Sequence, residues 1–420
     1  MDPTSESVLP IATGNEVVMF FPTIQLQTGK AVQVNTAGVQ VIPENPVDLS
    51  RRLYRYGTVV ILDRDAAMGQ GDNSDLVNKI CGEVEAIVAG GVTTVNQADR
   101  YLRAGAVRLI VGPRVNPGIL AHFPRQRILV AVDDRPAPFG IDEWRLADNT
   151  NLVEATAVFH KSCSGLVYGF GDSDIDGFRS LNAQVGLPVI AAAMTTSAED
   201  VEALDRSGID CLLTIDQNSN IDISDLYTNL MDFESGNGLI PTILQDRNRQ
   251  VLALFYSNKN AVKTSLDSGL TSFWSASKGD VTIKETPKGN PISIRTAIAD
   301  RRRKVLLYQV DSTGPVCHTG EYSCFGERSF SIETLEAVIV SRQGKGDSQS
   351  YTQQVLVSRE GVTDQILTRA KELAQAVTHD QIISRTADLL YFVMVNLVRN
   401  KVSWSSVLKE LRGRAGRRRQ

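Results

Sequence analysis

The stretch Gly90–Gly105, GGVTTVNQADRYLRAG, lies between two apolar runs, VEAIVAG and VRLIVG. It is echoed by Ala192–Gly208, AAMTTSAEDVEALDRSG, which follows PVIAAA and leads into IDCLLTI. An apolar strand, a loop of small residues, an amphipathic helix ended by glycine and a further strand make one βα unit. Two copies at corresponding places imply a duplicated half-barrel. Working outward, short apolar runs alternate with helical stretches from Val17 to about Ile215: VVMFF, TVVILD, VEAIVAG, VRLIVG, RILVAVDD, GLVYGF, PVIAAA and CLLTI. Eight such runs suit a closed (β/α)8 barrel better than an open sheet. In a barrel the loops after the strands form the ligand face, where Gly90 and Gly91 would let backbone N–H groups approach a phosphate. Ala192 and Ala193 replace that pair in the second half.

Beyond the barrel the pattern changes twice. Residues Thr242 to Phe330 carry β-type runs (TILQD, QVLALFY, TSFWSAS, PISIRTAIA, KVLLYQV) and one clear helix, NKNAVKTSLDSG, which predicts a compact α+β domain. From Ser331 the periodicity is helical, in IETLEAVIVSRQ, TDQILTRAKELAQAVTHD and ISRTADLLYFVMVNLVRN, and predicts a small three-helix bundle. The expected fold class is therefore multidomain, α/β followed by α+β and then all-α. Its boundaries are residues 16–225 for the barrel, 239–330 for the middle domain, 331–412 for the helices and 413–420 for a basic tail.

At 420 residues the chain is too long for one ordinary domain, and 42% hydrophobic with 22% charged residues is soluble, folded composition. Lys+Arg 44 against Asp+Glu 48 gives a net charge of -4, without the basic excess that nucleic acid selects. Five cysteines, Cys81, Cys163, Cys211, Cys317 and Cys324, are few and odd in number, which fits a reducing compartment. The N-terminus has no cationic segment before an apolar stretch, and no apolar run reaches the ~18 residues of a membrane span. A cytoplasmic protein with no membrane and no nucleic-acid partner is expected.

The three blocks in this order resemble a multifunctional histidine-biosynthesis protein: an isomerase-like barrel, a phosphoribosyl-AMP cyclohydrolase-like domain and a phosphoribosyl-ATP pyrophosphohydrolase-like domain. Fungal versions usually continue into a histidinol dehydrogenase domain, which is not among these 420 residues. The resemblance is carried by FPTIQLQTGKAVQV, LDRDAAMGQGDN and AGGVTTVNQADRYLRAGAVRLIVG in the barrel, and by LALFYSNKNAVKTSLDSG, FWSAS, IKETPKGN and above all CHTGEYSCFGE in the middle. SYTQQVL and TADLLYF carry it at the end.

What the resemblance implies about activity is then settled residue by residue. Related isomerases use an aspartate in the first barrel strand as acid or base; PTIQL places Gln25 there, and an amide exchanges no proton near neutral pH. Asp63, Asp65, Asp133 and Asp134 stand at or near strand ends, where they could line a pocket, and are expected rather as solvated loop carboxylates. The cyclohydrolases hold zinc through three cysteines and magnesium through aspartates of an Asp-Cys-Asp-x-Asp segment. Cys317, His318 and Cys324 are in place, but the other segment reads Asp300, Arg301, Arg302, Arg303, Lys304. A guanidinium cannot coordinate a cation. The run ADRRRK reads equally as a solvated basic edge or as a clamp for phosphate or carboxylate. The substrate loop of the family, Lys-Gly-Glu-Thr-Ser-Gly-Asn, becomes Lys284, Glu285, Thr286, Pro287, Lys288, Gly289, Asn290.

The pyrophosphohydrolases hold magnesium with Glu-Glu-x-x-Glu on one helix and Glu-x-x-Asp on the next. Thr368, Arg369 and Glu372, then Arg385 and Asp388, occupy those places, so two carboxylates face two introduced arginines and are expected to form ion pairs with them. Residual site residues are thus His318, Glu372 and Asp388 for catalysis, Cys317, Cys324 and Asp300 for metal, and Lys284, Glu285, Thr286, Gly289, Asn290, Gly90 and Gly91 for a phosphoribosyl-type ligand. No tightly bound cofactor is expected, zinc and magnesium being the groups the ancestral sites would take. The apolar stretch ADLLYFVMVNLV, apolar on more than one face, predicts a homodimer. Three altered sites inside intact cores predict a folded, non-catalytic, repurposed homologue: a phosphoribosyl-ligand binder, a component of a specialised-metabolite pathway or an assembly partner. The opposite expectation is a working cyclohydrolase and pyrophosphohydrolase in L-histidine biosynthesis, completed by ligands from a second subunit.

Overall fold

The computed structural model describes residues 20–35, 38–132, 144–146, 152–170, 175–193, 198–214, 221–311, 314–343 and 359–415. They fall into two compact units, one reaching Gly326 and one over Glu327–Arg414.

In the first unit eight parallel strands close on themselves. β1 (Phe20–Gln27), β4 (Val59–Asp63), β5 (Ala86–Ala89), β6 (Ala106–Val111), β7 (Ile128–Val132), β8 (Leu166–Phe170), β9 (Val189–Ala193) and β10 (Cys211–Thr214) pair in that order, and β10 returns to β1 through Phe20↔Cys211. The barrel read from the sequence is there, with its first strand running on through PTIQLQ. A hairpin that the apolar pattern did not reveal, β2 (Lys30–Asn35) and β3 (Gly38–Val41), extends β1 antiparallel. The repeat behaves as its chemistry dictates. Thr94 caps the helix Val95–Ala104 by accepting from Gln97 N–H, Gln97 accepts from Thr93 N–H in return, and Gly105 ends the helix at φ +120°.

Alternation along the strands sorts the side chains. Phe21, Val60, Leu62, Ile87, Ile110, Leu129, Val167, Ile190 and Leu212 fill the inside of the barrel, while their neighbours in sequence pack outward on the helices. This interior is an apolar core and not a channel.

The middle domain is a four-stranded sheet in the order β12-β11-β16-β15, from β11 (Ile240–Gln245), β12 (Val251–Ser257), β15 (Ile294–Ala299) and β16 (Leu306–Val310), with a hairpin of β13 (Ser272–Ser275) and β14 (Asp280–Ile283). Asn258 caps its helix, Lys259–Ser268, and Gly269 ends it at φ +72°. On the outer face Leu254, Ile243, Leu307 and Ile298 stand in register across all four strands, with Leu254 and Ile298 exposed.

This domain is seated on the end of the barrel where the strands begin, opposite the ligand face of such folds. Arg55, just before β4, donates to the carbonyls of Leu266 and Asp267 at 3.1 and 3.2 Å. Arg295 donates to Glu83 O, just before β5, at 3.1 Å. Tyr227, on the helix Ile223–Asn229, meets Phe20 and Tyr56 edge-on and donates to Ala297 O. One continuous apolar core runs through both parts. At its margin the hairpin between β15 and β16 inserts Arg303, which forks onto both carboxylate oxygens of Asp205 in the helix Ala198–Arg206, while Asp232 N–H donates to Arg303 O. Arg303 holds φ +58°, a left-handed conformation costly for a residue with a side chain, which the fork offsets.

The second unit contains the helices Ile332–Gln343, Arg359–Ala374, His379–Arg399 and Trp404–Ala415 around Ile339, Val362, Met394, Val395 and Val398. The bundle therefore has a fourth helix, and part of the predicted basic tail is helical up to Ala415. The helix His379–Arg399 is long and apolar enough by composition to cross a membrane, yet Phe392 is buried and Met394, Val395 and Val398 are buried in this small core.

Asp205 has a side chain 7% exposed, so removing its partner strands a buried charge. Arg303→Ala is expected to destabilise the first unit by about 3 kcal/mol. Arg303→Gly, which relieves the left-handed strain, should recover only part of that. Denaturant midpoints of the two variants check both statements.

Candidate functional site

At the ligand-face end of the barrel the inward series of β1 reaches Gln25, 3% exposed. The short helix Arg64–Ala67 places Arg64 against it, donating from Nη1 to Gln25 Oε1 at 3.0 Å and from Nε to Gln27 Oε1 at 3.3 Å. Burial pushes this guanidinium below its ordinary pKa, against the pull of Asp65. Trp144, from the connection after β7, is 2% exposed and packs on the interior core. An arginine and an indole are thus buried at this end of the barrel.

The expectation of solvated carboxylates at Asp63 and Asp65 is corrected. Both are buried. Asp63 caps the helix Arg64–Ala67 and accepts from Asn73 N and Nδ2 at 2.7 Å each, and Asp65 accepts from Thr28 N–H and from Asn73 Nδ2. They hold the β1 and β4 loops together instead of facing water. Asp133 and Asp134 lie outside the described residues. The glycine pair has a packing reason. Gly90 and Gly91 hold φ +90° and +67°, and a Cβ on either would stand 2.3 Å from Asp63 O or 2.4 Å from Ala66 Cβ. Nothing larger than glycine passes this close to the Asp63–Ala66 backbone.

In the middle domain the structure gathers Cys317, Cys324, His318 and Lys284. Val316 N–H donates to Tyr322 O and Cys317 N–H to Glu321 O, which folds the segment back on itself, and Cys324 N–H donates to Leu252 O at 2.8 Å. The two thiols contact each other. Thr319 donates to Cys317 Sγ at 3.1 Å and lowers its pKa from the usual thiol value, while burial and the neighbouring Cys317 raise that of Cys324. His318 is exposed, its Nδ1 3.8 Å from Cys317 Sγ. Lys284 donates to Val316 O at 2.9 Å and ties the substrate-loop segment to the cysteines. That loop is closed on itself. Thr286 N–H donates to Asn290 O, Asn290 N–H to Thr286 Oγ1 and Gly289 N–H to Thr286 O, with Gly289 at φ +79° and Glu285 bridged to Pro291.

Asp300 is elsewhere. It begins the hairpin before β16, whereas the cysteines follow the end of β16, about 17 Å of strand away. Its carboxylate accepts from Lys304 N–H and Val305 N–H at 2.7 Å and from Arg302 N–H at 3.2 Å, so it serves the turn. The metal assignment of Asp300 is corrected accordingly. In the run ADRRRK, Arg303 pairs with Asp205 and Lys304 lies 3.4 Å from Asp232, while Arg301 and Arg302 are exposed. The residues present do not fit zinc: only two thiols adjoin, and among the described residues no three His, Cys, Asp or Glu are placed to hold a metal ion.

In the helical unit Arg369 Nη1 lies 2.9 Å and Arg385 Nη1 3.1 Å from the same Glu372 Oε2, and Arg385 is 3.7 Å from Asp388. Arg369 also sits over the Phe392 ring, 5.9 Å from its centroid. Both carboxylates are turned to guanidinium groups, as the sequence predicted, and the set does not fit magnesium.

Sequence-family models agree with this division. One described as histidine biosynthesis protein matches residues 19–214, one for phosphoribosyl-AMP cyclohydrolase residues 253–326, and one for phosphoribosyl-ATP pyrophosphohydrolase residues 332–415. The histidine biosynthesis bifunctional protein HisIE of Pyrococcus furiosus is 34% identical over 198 residues, 44% of this chain and 95% of that protein. The chain belongs to the histidine biosynthesis family. The HisIE of Bacillus subtilis is likewise 34% identical over 195 residues, 42% of this chain and 92% of that protein. The phosphoribosyl-AMP cyclohydrolase of Cenarchaeum symbiosum is 38% identical over 96 residues, 23% of this chain and 89% of that protein.

Sequence reasoning missed Arg64, Trp144, Asn73 and Asp205. The first had a signal, a cation set between two carboxylates in LDRDAA; Asp205 and Trp144 had none, because their partners are remote in sequence.

Glu372 receives two guanidinium groups at half-exposed positions, so Glu372→Gln is expected to lower the stability of the helical unit by about 1 kcal/mol, a loss that shrinks as salt screens the charges. Thermal unfolding at low and high ionic strength checks this.

Proposed function

We propose that this member of the histidine biosynthesis family turns over neither phosphoribosyl-ATP nor phosphoribosyl-AMP, and acts in the cytoplasm as a folded, repurposed homologue that binds phosphoribosyl-type ligands or assembles with another protein. The carrying observation is the convergence of Arg369 and Arg385 on Glu372. A carboxylate that neutralises two guanidinium groups is a poor ligand for a divalent cation held against a pyrophosphate. The same substitution of charge recurs in the middle domain, where Arg301, Arg302 and Lys304 stand at the places of a thiolate and two carboxylates. Burial of Arg64 against Gln25 at the ligand-face end of the barrel supports loss of the isomerase step. Cationic side chains can still attract phosphate, so binding without turnover is the expected pattern.

The active reading is favoured by one feature, the retained Cys317, His318 and Cys324 in a segment shared with relatives named as bifunctional enzymes. In that reading the missing ligands come from a second copy, because the hairpin at Asp300 and the cysteines lie at opposite ends of β16. Single-turnover assays with both nucleotides, with magnesium and zinc added and a binding titration alongside, are expected to give no product. Turnover that is lost in Cys317→Ala or Glu372→Ala would establish the active reading instead.

Purified protein is expected to hold well below one zinc per chain after dialysis against a weak chelator, read by elemental analysis. A homodimer is also expected. Leu367, Ile382, Ile383 and Leu411 are exposed on helices whose own core is small, and the outer sheet row of the middle domain offers a second apolar face. Light scattering at micromolar concentration checks this.

A further inference from the structure

We infer that Cys317 and Cys324 form a thiol–disulfide exchange site, which closes an intramolecular disulfide at the expense of a small disulfide of the glutathione class. This rests on the reading that the metal segment is lost, since thiolates committed to zinc would not be free to exchange. The placement comes from backbone hydrogen bonds. Val316 and Cys317 N–H bond to Tyr322 and Glu321 carbonyls, Gly320 N–H bonds to Cys317 O, and Cys324 N–H is fixed to Leu252 O on β12. The segment therefore turns back so that two sulfur atoms meet side by side, without a third donor placed to share a metal among the described residues. The remaining cysteines, Cys81, Cys163 and Cys211, are each 1% exposed or less.

The two partners differ in access in the way a two-step exchange needs. Cys324 is exposed and open to a dissolved disulfide, whereas Cys317 is 5% exposed and reachable mainly by its neighbour. In the first step the Cys324 sulfur attacks one sulfur of the small disulfide. A mixed disulfide forms, the small S–S bond breaks, and one small thiol leaves with the proton that Cys324 gives up. In the second step the Cys317 sulfur attacks the Cys324 sulfur. The protein disulfide forms, the mixed one breaks, and a second small thiol leaves with the proton of Cys317. Two protein thiols are oxidised and one small disulfide is reduced to two thiols.

The test uses the full chain under native conditions at neutral pH with oxidised glutathione, followed by alkylation and peptide mass analysis. Residues 317 and 324 are expected linked, with the loss of two hydrogen masses reversed by dithiothreitol, and Cys317→Ser is expected to stop at one stable glutathionyl group on Cys324. Wild-type protein that keeps a glutathionyl group on Cys324 beside a free Cys317, or in which neither thiol reacts, overturns the proposal. Zinc content of the reduced protein is measured first. Stoichiometric zinc that blocks the reaction overturns the loss of the metal site together with the exchange, whereas zinc-free protein that does not react overturns the exchange alone.

Discussion

The pairing of Arg303 with Asp205 is the constraint on which the arrangement of the first unit depends. A carboxylate buried near the end of the helix Ala198–Arg206 requires a partner, since an ionised group withdrawn from water without one costs several kcal/mol. The partner comes from the tip of the β15–β16 hairpin, and reaching it requires a left-handed residue at that tip. Once the fork is made, the hairpin belongs to the barrel junction, and the apolar contacts of Phe20, Tyr56 and Tyr227 fix the sheet behind it. The hairpin thereby becomes a fastener between two parts of the chain. Its distance from the cysteines follows from strand geometry alone.

Charge explains the rest of the site chemistry in common terms. A carboxylate can serve a divalent cation or a guanidinium, and the arginine offers a planar fork that needs no desolvation of a doubly charged ion. Glu372 and Asp388 face such forks. Asp63 and Asp65 are committed to backbone and amide donors instead, which close the loops around the glycine pair. Gln25, neutral, accepts from the buried Arg64. Each carboxylate described at these three places has a structural partner, and the cores beneath are intact.

Composition and periodicity determined a good deal by themselves. Eight apolar runs and the repeat at Gly90 specify a closed barrel, because strand and helix periods, capping threonine and terminating glycine are local in sequence. The arginines at 301, 369 and 385 were equally legible, and a guanidinium cannot coordinate a cation in any fold. Ion pairing at Glu372 followed from helix spacing, three residues from Arg369 on one face.

Only the tertiary structure decided what those substitutions do. Arg303 and Asp205 are 98 residues apart, and no local rule joins them. Asp63 and Asp65 read as loop carboxylates until the backbone of Asn73 and Thr28 is brought over them. Gly90 and Gly91 read as a phosphate cradle, yet the contact that excludes a Cβ is with the neighbouring loop. The contact between Cys317 and Cys324, and their separation from Asp300, depend on which end of β16 each segment joins. Local propensities set strands, caps and turns; long-range burial decides which charged side chain meets which, because the free energy of a charge is fixed by what surrounds it after folding.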